Sequence, residues 1–138
     1  MSTLVTGGTG LVGSSISKGV KLSSVDGDLR DWNQTLELFE YHKPKKVIHC
    51  AGKVGGLGGN MNYKGEFYYD NIMMNTNVIE ASRQVGVERL VCFLSTCVFP
   101  DDVEFPLTEK KVHLGEPHFS NYPYAYAKRM ADVQIRAY

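Results

Sequence analysis

Thr3-Leu4-Val5-Thr6-Gly7-Gly8-Thr9-Gly10-Leu11-Val12-Gly13 reads as a short apolar strand, a glycine-rich turn and the opening of a helix. A turn of this kind lets the backbone approach a pyrophosphate and aims N–H groups and the positive end of a helix at it. Gly7, Gly10 and Gly13 stand in Gly-x-x-Gly-x-x-Gly spacing, with Gly8, Thr9, Leu11 and Val12 filling the turn. The same spacing also suits a purely structural strand-to-helix turn, so its meaning depends on the rest of the chain.

Two further apolar, β-branched runs occur at residues 46–50 and 89–94. Each is short and leads into a loop of small residues, the pattern of a buried parallel strand. Between the runs lie helix-like segments at 11–19, 31–41 and 69–85, and a last helix is expected from about residue 122 to the end. The alternation βαβα predicts an α/β, Rossmann-like doubly wound parallel sheet. Its ligand crevice would lie at the carboxyl ends of the strands, where the loops at 7–13, 51–60 and 95–100 emerge. Residues 52–60 carry five glycines in nine positions and are expected to form a mobile loop.

The composition narrows the partners. Fifteen basic residues balance fifteen acidic ones, without a run of either sign, which argues against a nucleic-acid or anionic-membrane binder. No apolar stretch approaches the ~20 residues of a membrane span, and the N-terminus enters an apolar strand directly; the chain reads as cytoplasmic. Three cysteines without metal-ligand spacing give neither a disulfide framework nor a zinc site, and Cys50 and Cys92 are expected to be small core residues. His49, His113 and His118 lack metal spacing, and His42 precedes a Lys-Pro turn.

Tyr124 and Lys128 stand four apart, which places them on one helical face. An ammonium near a phenol favours the phenolate, so the tyrosine is expected to titrate below its reference near ~10 and to act as a general acid towards an alkoxide. Ser95, after the third apolar run, is placed to hydrogen-bond the same carbonyl oxygen. Tyr122 and Tyr126 have no lysine four residues on. Cys97 sits just beyond Ser95 and Thr96; it would be inert in apolar surroundings and reactive beside a cation. Asp28-Leu29 is placed to meet an adenine amino group, while Asp31 suits the cap of the following helix.

Taken together, Thr6 to Gly13, Lys53-Val54-Gly55-Gly56-Leu57, Ser95-Thr96-Cys97-Val98-Phe99-Pro100 and Tyr124-Ala125-Tyr126-Ala127-Lys128-Arg129-Met130 resemble the extended short-chain dehydrogenase/reductase family. Within it, the Ser-x-Cys followed by Phe-Pro and the Val-Gly-Gly-Leu loop resemble the members that both epimerise and reduce a GDP-linked 4-keto sugar. The resemblance implies NADP(H) as cofactor, a GDP-sugar substrate and a homodimer seamed by the helix at 71–82 and the Tyr/Lys helix. It implies that Tyr124 donates a proton to the C4 oxygen, that Lys128 holds the nicotinamide ribose, and that Ser95 orients the keto group. Cys97 would be the epimerisation base, and Gly7 to Gly13, Phe93, Leu94, Ser95 and Thr96 would be cofactor contacts.

Two departures accompany the resemblance. Nine residues separate Gly13 from Ser23, short for a helix and a second strand in a βαβ unit of ~30 residues, and they leave Lys18 and Lys21 as the nearby cations for a 2′-phosphate. Family members are also more than twice this length, so residues 1–138 are expected to be the N-terminal part of an NAD(P)-binding domain without its substrate domain. A non-catalytic chain that pairs with a full-length subunit, and another NAD(P)-dependent sugar-nucleotide epimerase or dehydratase, are the competing readings.

Overall fold

The computed structural model describes residues 2–138. It contains β1 (Thr3–Thr6), α1 (Leu11–Ser14), β2 (Val20–Leu22), α2 (Trp32–His42), β3 (Lys46–His49), α3 (Gly56–Asn62), α4 (Lys64–Gln84), β4 (Arg89–Cys92) and α5 (Tyr122–Ala137), with 3-10 turns at Thr96–Val98 and Glu109–Lys111. These fall into two compact units. The first comprises the chain up to Gly52, Met73–Phe93 and Tyr138; the second comprises Lys53–Ile72 and Leu94–Ala137.

The first unit is built on a four-stranded parallel sheet in the order β2-β1-β3-β4. The chain steps from β1 outward to β2 and then returns to the other side of β1, so the strand order reverses between β1 and β3, where open α/β sheets bind ligands at the strands' carboxyl ends. β1 is central: Leu4, Val5 and Thr6 are all buried. Leu4 joins Leu22, Leu29, Phe39, Val47, Val78 and Ala81 in the core of this unit. Polar groups buried beside it satisfy one another. His49 Nε2 lies 2.9 Å from the Asn75 carbonyl oxygen, an acceptor, so Nε2 carries the proton and Nδ1 accepts from the Thr6 hydroxyl at 2.6 Å.

Several local expectations hold. Asp31 caps α2, its carboxylate accepting from the Gln34 amide at 2.9 Å, and Lys43 ends the helix in the left-handed region before Pro44. Replacing Asp31 by alanine is expected to destabilise the protein by about 1 kcal/mol. Urea unfolding checks this: the midpoint should fall with an unchanged m-value, and an unmoved midpoint would refute the cap.

Other expectations are corrected. The first helix does not run to residue 19 but closes after one turn at Ser14. The Ser14 and Ser15 hydroxyls turn back to the Leu11 carbonyl, both at 3.3 Å, Lys21 Nζ takes the Ser14 carbonyl at 2.8 Å, and Gly19 turns the chain at φ 114°. The short span after Gly13 has no room for a full helix, since α1 ends at Ser14, but it does hold a second strand, because three residues suffice once β1 supplies the ladder from Leu4↔Val20 to Thr6↔Leu22. The third apolar run is a strand only to Cys92, and its residues alternate between exposed and half-buried because among the described residues β4 pairs only with β3. Cys92 on that strand, and Cys50 just past β3, are half-buried rather than core.

In the second unit the expected glycine-rich loop is replaced by α3 from Gly56 onward. It packs beside the buried Phe67 ring: a Cβ on Gly55 would lie 2.7 Å from its Cζ, and one on Gly59 3.1 Å. Gly55 and Gly59 make room for an aromatic ring. The next helix also begins earlier than expected, at Lys64.

Candidate active site

In the first unit, the turn after β1 has the shape the glycine pattern requires. Gly7 adopts φ 66°, and a Cβ there would lie 2.6 Å from the Ala51 nitrogen. Gly13 is buried against the same turn, where a Cβ would come 2.8 Å from the Gly8 Cα. Gly10 precedes α1 with an extended backbone, and its N–H donates to the Gly7 carbonyl at 3.0 Å. The opening N–H groups of a helix have no intrahelical acceptor, so those of Leu11, Val12 and Gly13 remain for an anion; Thr9, Leu11 and Val12 are exposed. Because α1 is a single turn, local N–H groups rather than a helix dipole are what this turn offers. The backbone cradle, which side chains would fill, fits the pyrophosphate of a dinucleotide.

Of the two nearby lysines, Lys21 is turned to Ser14, while Lys18 is exposed. Asp28 is gripped by Arg30, with Nη2 2.7 Å from Oδ2, and accepts the Arg30 amide at 2.9 Å; these bonds hold its carboxyl below the usual carboxylate range. Leu29 lies in the core, and its carbonyl accepts from Asn77 Nδ2 at 3.0 Å. A ligand at Asp28-Leu29 would therefore meet the partly exposed carboxylate and the backbone, not the leucine side chain. Phe93, also of this unit, is 43% exposed, and its amide bonds the His49 carbonyl at 3.1 Å.

The second unit brings Ser95, Cys97 and Tyr124 together. Ser95 caps the 3-10 turn Thr96–Val98, its hydroxyl accepting from the Cys97 amide at 3.3 Å. Leu94 is half-buried and Thr96 exposed. α5 carries Tyr124 and Lys128 one turn apart on a buried face, at 7% and 4% exposure. The direction of the Tyr124 titration differs from expectation. Burial is the largest influence and pushes the phenol up, the neighbouring Cys97 pushes it further, and a hydrogen bond from Ser95 works the other way. A buried phenol that keeps its proton is suited to give it to a developing alkoxide.

The other tyrosines on α5 do not share this setting. Tyr122 is 45% exposed with Lys64 Nζ 5.4 Å from its ring centroid, and Tyr126 stacks on Arg129 at 5.2 Å. Arg129 is buried and pins the cysteine-bearing turn, Nε donating to the Val98 carbonyl at 2.6 Å and Nη1 to the Gly115 carbonyl at 2.8 Å. Asn121, just before α5, donates Nδ2 to Cys97 Sγ at 3.0 Å. Sequence reasoning misses both Arg129 and Asn121, because each acts across a long connection that spacing does not register. His113 pairs with Asp132 at 3.0 Å and His118 with Ser120 at 2.7 Å, and the His118 carbonyl accepts the Asn121 amide at 3.1 Å. Among the described residues no group of His, Cys, Asp and Glu could hold a metal ion, and no helix is long and apolar enough to cross a membrane.

A model of the NAD dependent epimerase/dehydratase family matches residues 3–138. Over 99% of its length the chain is 47% identical to GDP-L-fucose synthase of Dictyostelium discoideum, of which it covers 46%. It is 44% identical to the probable GDP-L-fucose synthase of Drosophila melanogaster, over 98% of this chain and 46% of that one. A crystal structure of a GDP-L-fucose synthetase from Naegleria fowleri bound to NADP superposes with a TM-score of 0.90 at 49% identity, covering 99% of this chain and 47% of that one. The chain thus spans about half the length of the curated relatives it matches. With a family model running through nearly every residue and the glycine turn folded as that chemistry requires, the chain belongs to the NAD dependent epimerase/dehydratase family.

Proposed function

We propose that this chain serves a cytoplasmic GDP-L-fucose synthase reaction, the NADP(H)-dependent epimerisation and reduction of GDP-4-keto-6-deoxy-D-mannose to GDP-L-fucose. The observation that carries the reading is the gathering of Ser95, Cys97 and Tyr124 in one unit, with Lys128 buried one turn further along α5. An enzyme that only moved a hydride would need the phenol and the serine. A thiol beside them adds a second base.

In this scheme the Cys97 thiolate removes the protons at C3 and C5, whose carbanions are stabilised by the C4 ketone, and each inverted centre takes its new proton from an acid on the opposite face. Ser95 holds the ketone oxygen. NADPH, when bound, supplies the hydride to C4. Tyr124 then gives its proton to the resulting alkoxide, and Lys128 orients the nicotinamide ribose. Gly7 to Gly13 seat the pyrophosphate, with Asp28 and Leu29 at the adenine end and Phe93 to Thr96 beside the cofactor. The protein's share of the work is positioning and proton transfer.

In a full-length chain carrying these residues, Cys97→Ser separates this reading from that of another epimerase or dehydratase. Deuterium exchange from D2O into C3 and C5 of the GDP-sugar is expected to fall by about 10²–10⁴-fold, while NADPH oxidation with an already epimerised 4-keto substrate continues. If exchange persists at the wild-type rate, Cys97 is not the base and the fucose-synthase assignment loses its specific support.

A further inference from the structure

Asn121 stands immediately before α5, the position where an asparagine ordinarily turns its side-chain oxygen onto the helix's opening N–H groups. Its backbone does what that position requires, the carbonyl accepting from the Ala125 amide at 3.0 Å. Its side chain does not. Nδ2 points instead at Cys97 Sγ, 3.0 Å away, and Oδ1 is buried without a hydrogen-bond partner. A cap contributes to stability, and an orphaned buried carbonyl detracts from it, so the fold forgoes the first and carries the second while one amide donor is aimed at one sulfur. A donated N–H favours the charged form of the atom that accepts it, and the thiolate is the form of cysteine that acts as a base or nucleophile.

We infer that Asn121 is the positioning residue of Cys97, fixing the sulfur in place and stabilising its thiolate through the Nδ2–H···S bond. The inference rests on the reading of Cys97 as the epimerisation base, and it deepens that reading by naming the group that holds its sulfur. Two other groups bear on the sulfur or its turn. Tyr124 faces Cys97 from α5 and is held neutral by burial, and Arg129 binds the Val98 carbonyl beside it and stays charged at every working pH. Neither changes state between about pH 6 and 9, and His118, whose carbonyl accepts the Asn121 amide at 3.1 Å, is common to wild type and variants, so a difference between their profiles in that range reports on Asn121.

The test is the rate of iodoacetamide alkylation at Cys97 as a function of pH, read by mass spectrometry of the Cys97 peptide so that Cys50 and Cys92 do not contribute. Two variants are compared with wild type. Asn121→Ala removes the donor. Asn121→Asp keeps the size, is as good a helix cap as asparagine, and presents a carboxylate to the sulfur. Both are expected to slow alkylation near pH 7 by about tenfold, with the aspartate slower still, and the rates should converge on that of wild type at high pH, where every thiol is ionised. A purely structural role would instead loosen the turn and speed alkylation at all pH values. Superimposable profiles, or faster alkylation throughout, would overturn the inference. The readout is independent of catalysis: if Cys97→Ser leaves deuterium exchange intact while the Asn121 variants shift alkylation as expected, the proposed function falls and the positioning role stands.

Discussion

Tyr124→Phe is expected to lower the rate of 4-keto reduction by about 10²–10⁴-fold, the contribution of a positioned general acid, while NADPH still binds. In the proposed reaction the phenol is the proton source; Tyr124 lies beside Ser95 and is 7% exposed. Phenylalanine preserves that packing, so the loss of activity would not reflect unfolding; the hydrogen bond with Ser95 is worth only about 1 kcal/mol of stability. Lys128 cannot take over, because it lies one turn further along α5. Burial and Cys97 both hold the phenol above its ordinary value, so in the free protein its proton is retained until well above neutral pH. The proposed reduction should therefore show no loss from this group between about pH 7 and 9. Single-turnover NADPH oxidation at saturating GDP-sugar measures the effect, and a variant within threefold of wild type would remove Tyr124 from the mechanism.

Gly7→Ala is expected to cost about 2–5 kcal/mol of stability, the sum of a left-handed backbone at a residue with a Cβ and of overpacking. The new methyl would meet the Ala51 nitrogen at 2.6 Å and Cα at 2.7 Å. These are backbone atoms just past β3, so the neighbour cannot swing away. Since a whole domain is stable by only ~5–15 kcal/mol, the loss should appear as a large drop in the urea midpoint and as lost NADPH binding in a calorimetric titration. Gly58→Ala is the control. Gly58 lies in α3, where an added methyl would find nothing within 4 Å, and alanine is the better helix former by roughly 0.5–1 kcal/mol, so that variant should be slightly more stable than wild type. Equal midpoints for the two variants would mean that the turn after β1 tolerates what its geometry forbids.

The features legible in the amino-acid order are those governed by local physics. The glycine turn, the Asp31 cap and the Tyr124/Lys128 face follow from backbone preferences, a single side chain reaching three residues ahead, and the period of a helix. The parallel order of the sheet follows from the alternation of apolar runs with helical ones. What sequence could not carry is anything settled by residues that meet only after folding. Val20 to Leu22 become a strand because β1 offers its ladder, and residues 56–62 become a helix beside the Phe67 ring. Spacing put Lys128 near Tyr124 and so predicted a phenol of lowered pKa. Burial reversed the direction, since desolvation is set by everything packed around a group and not by the one neighbour its spacing reveals. The partner of Cys97 is Asn121 for the same reason: the two are joined by a loop, and only tertiary packing decides which amide meets the sulfur.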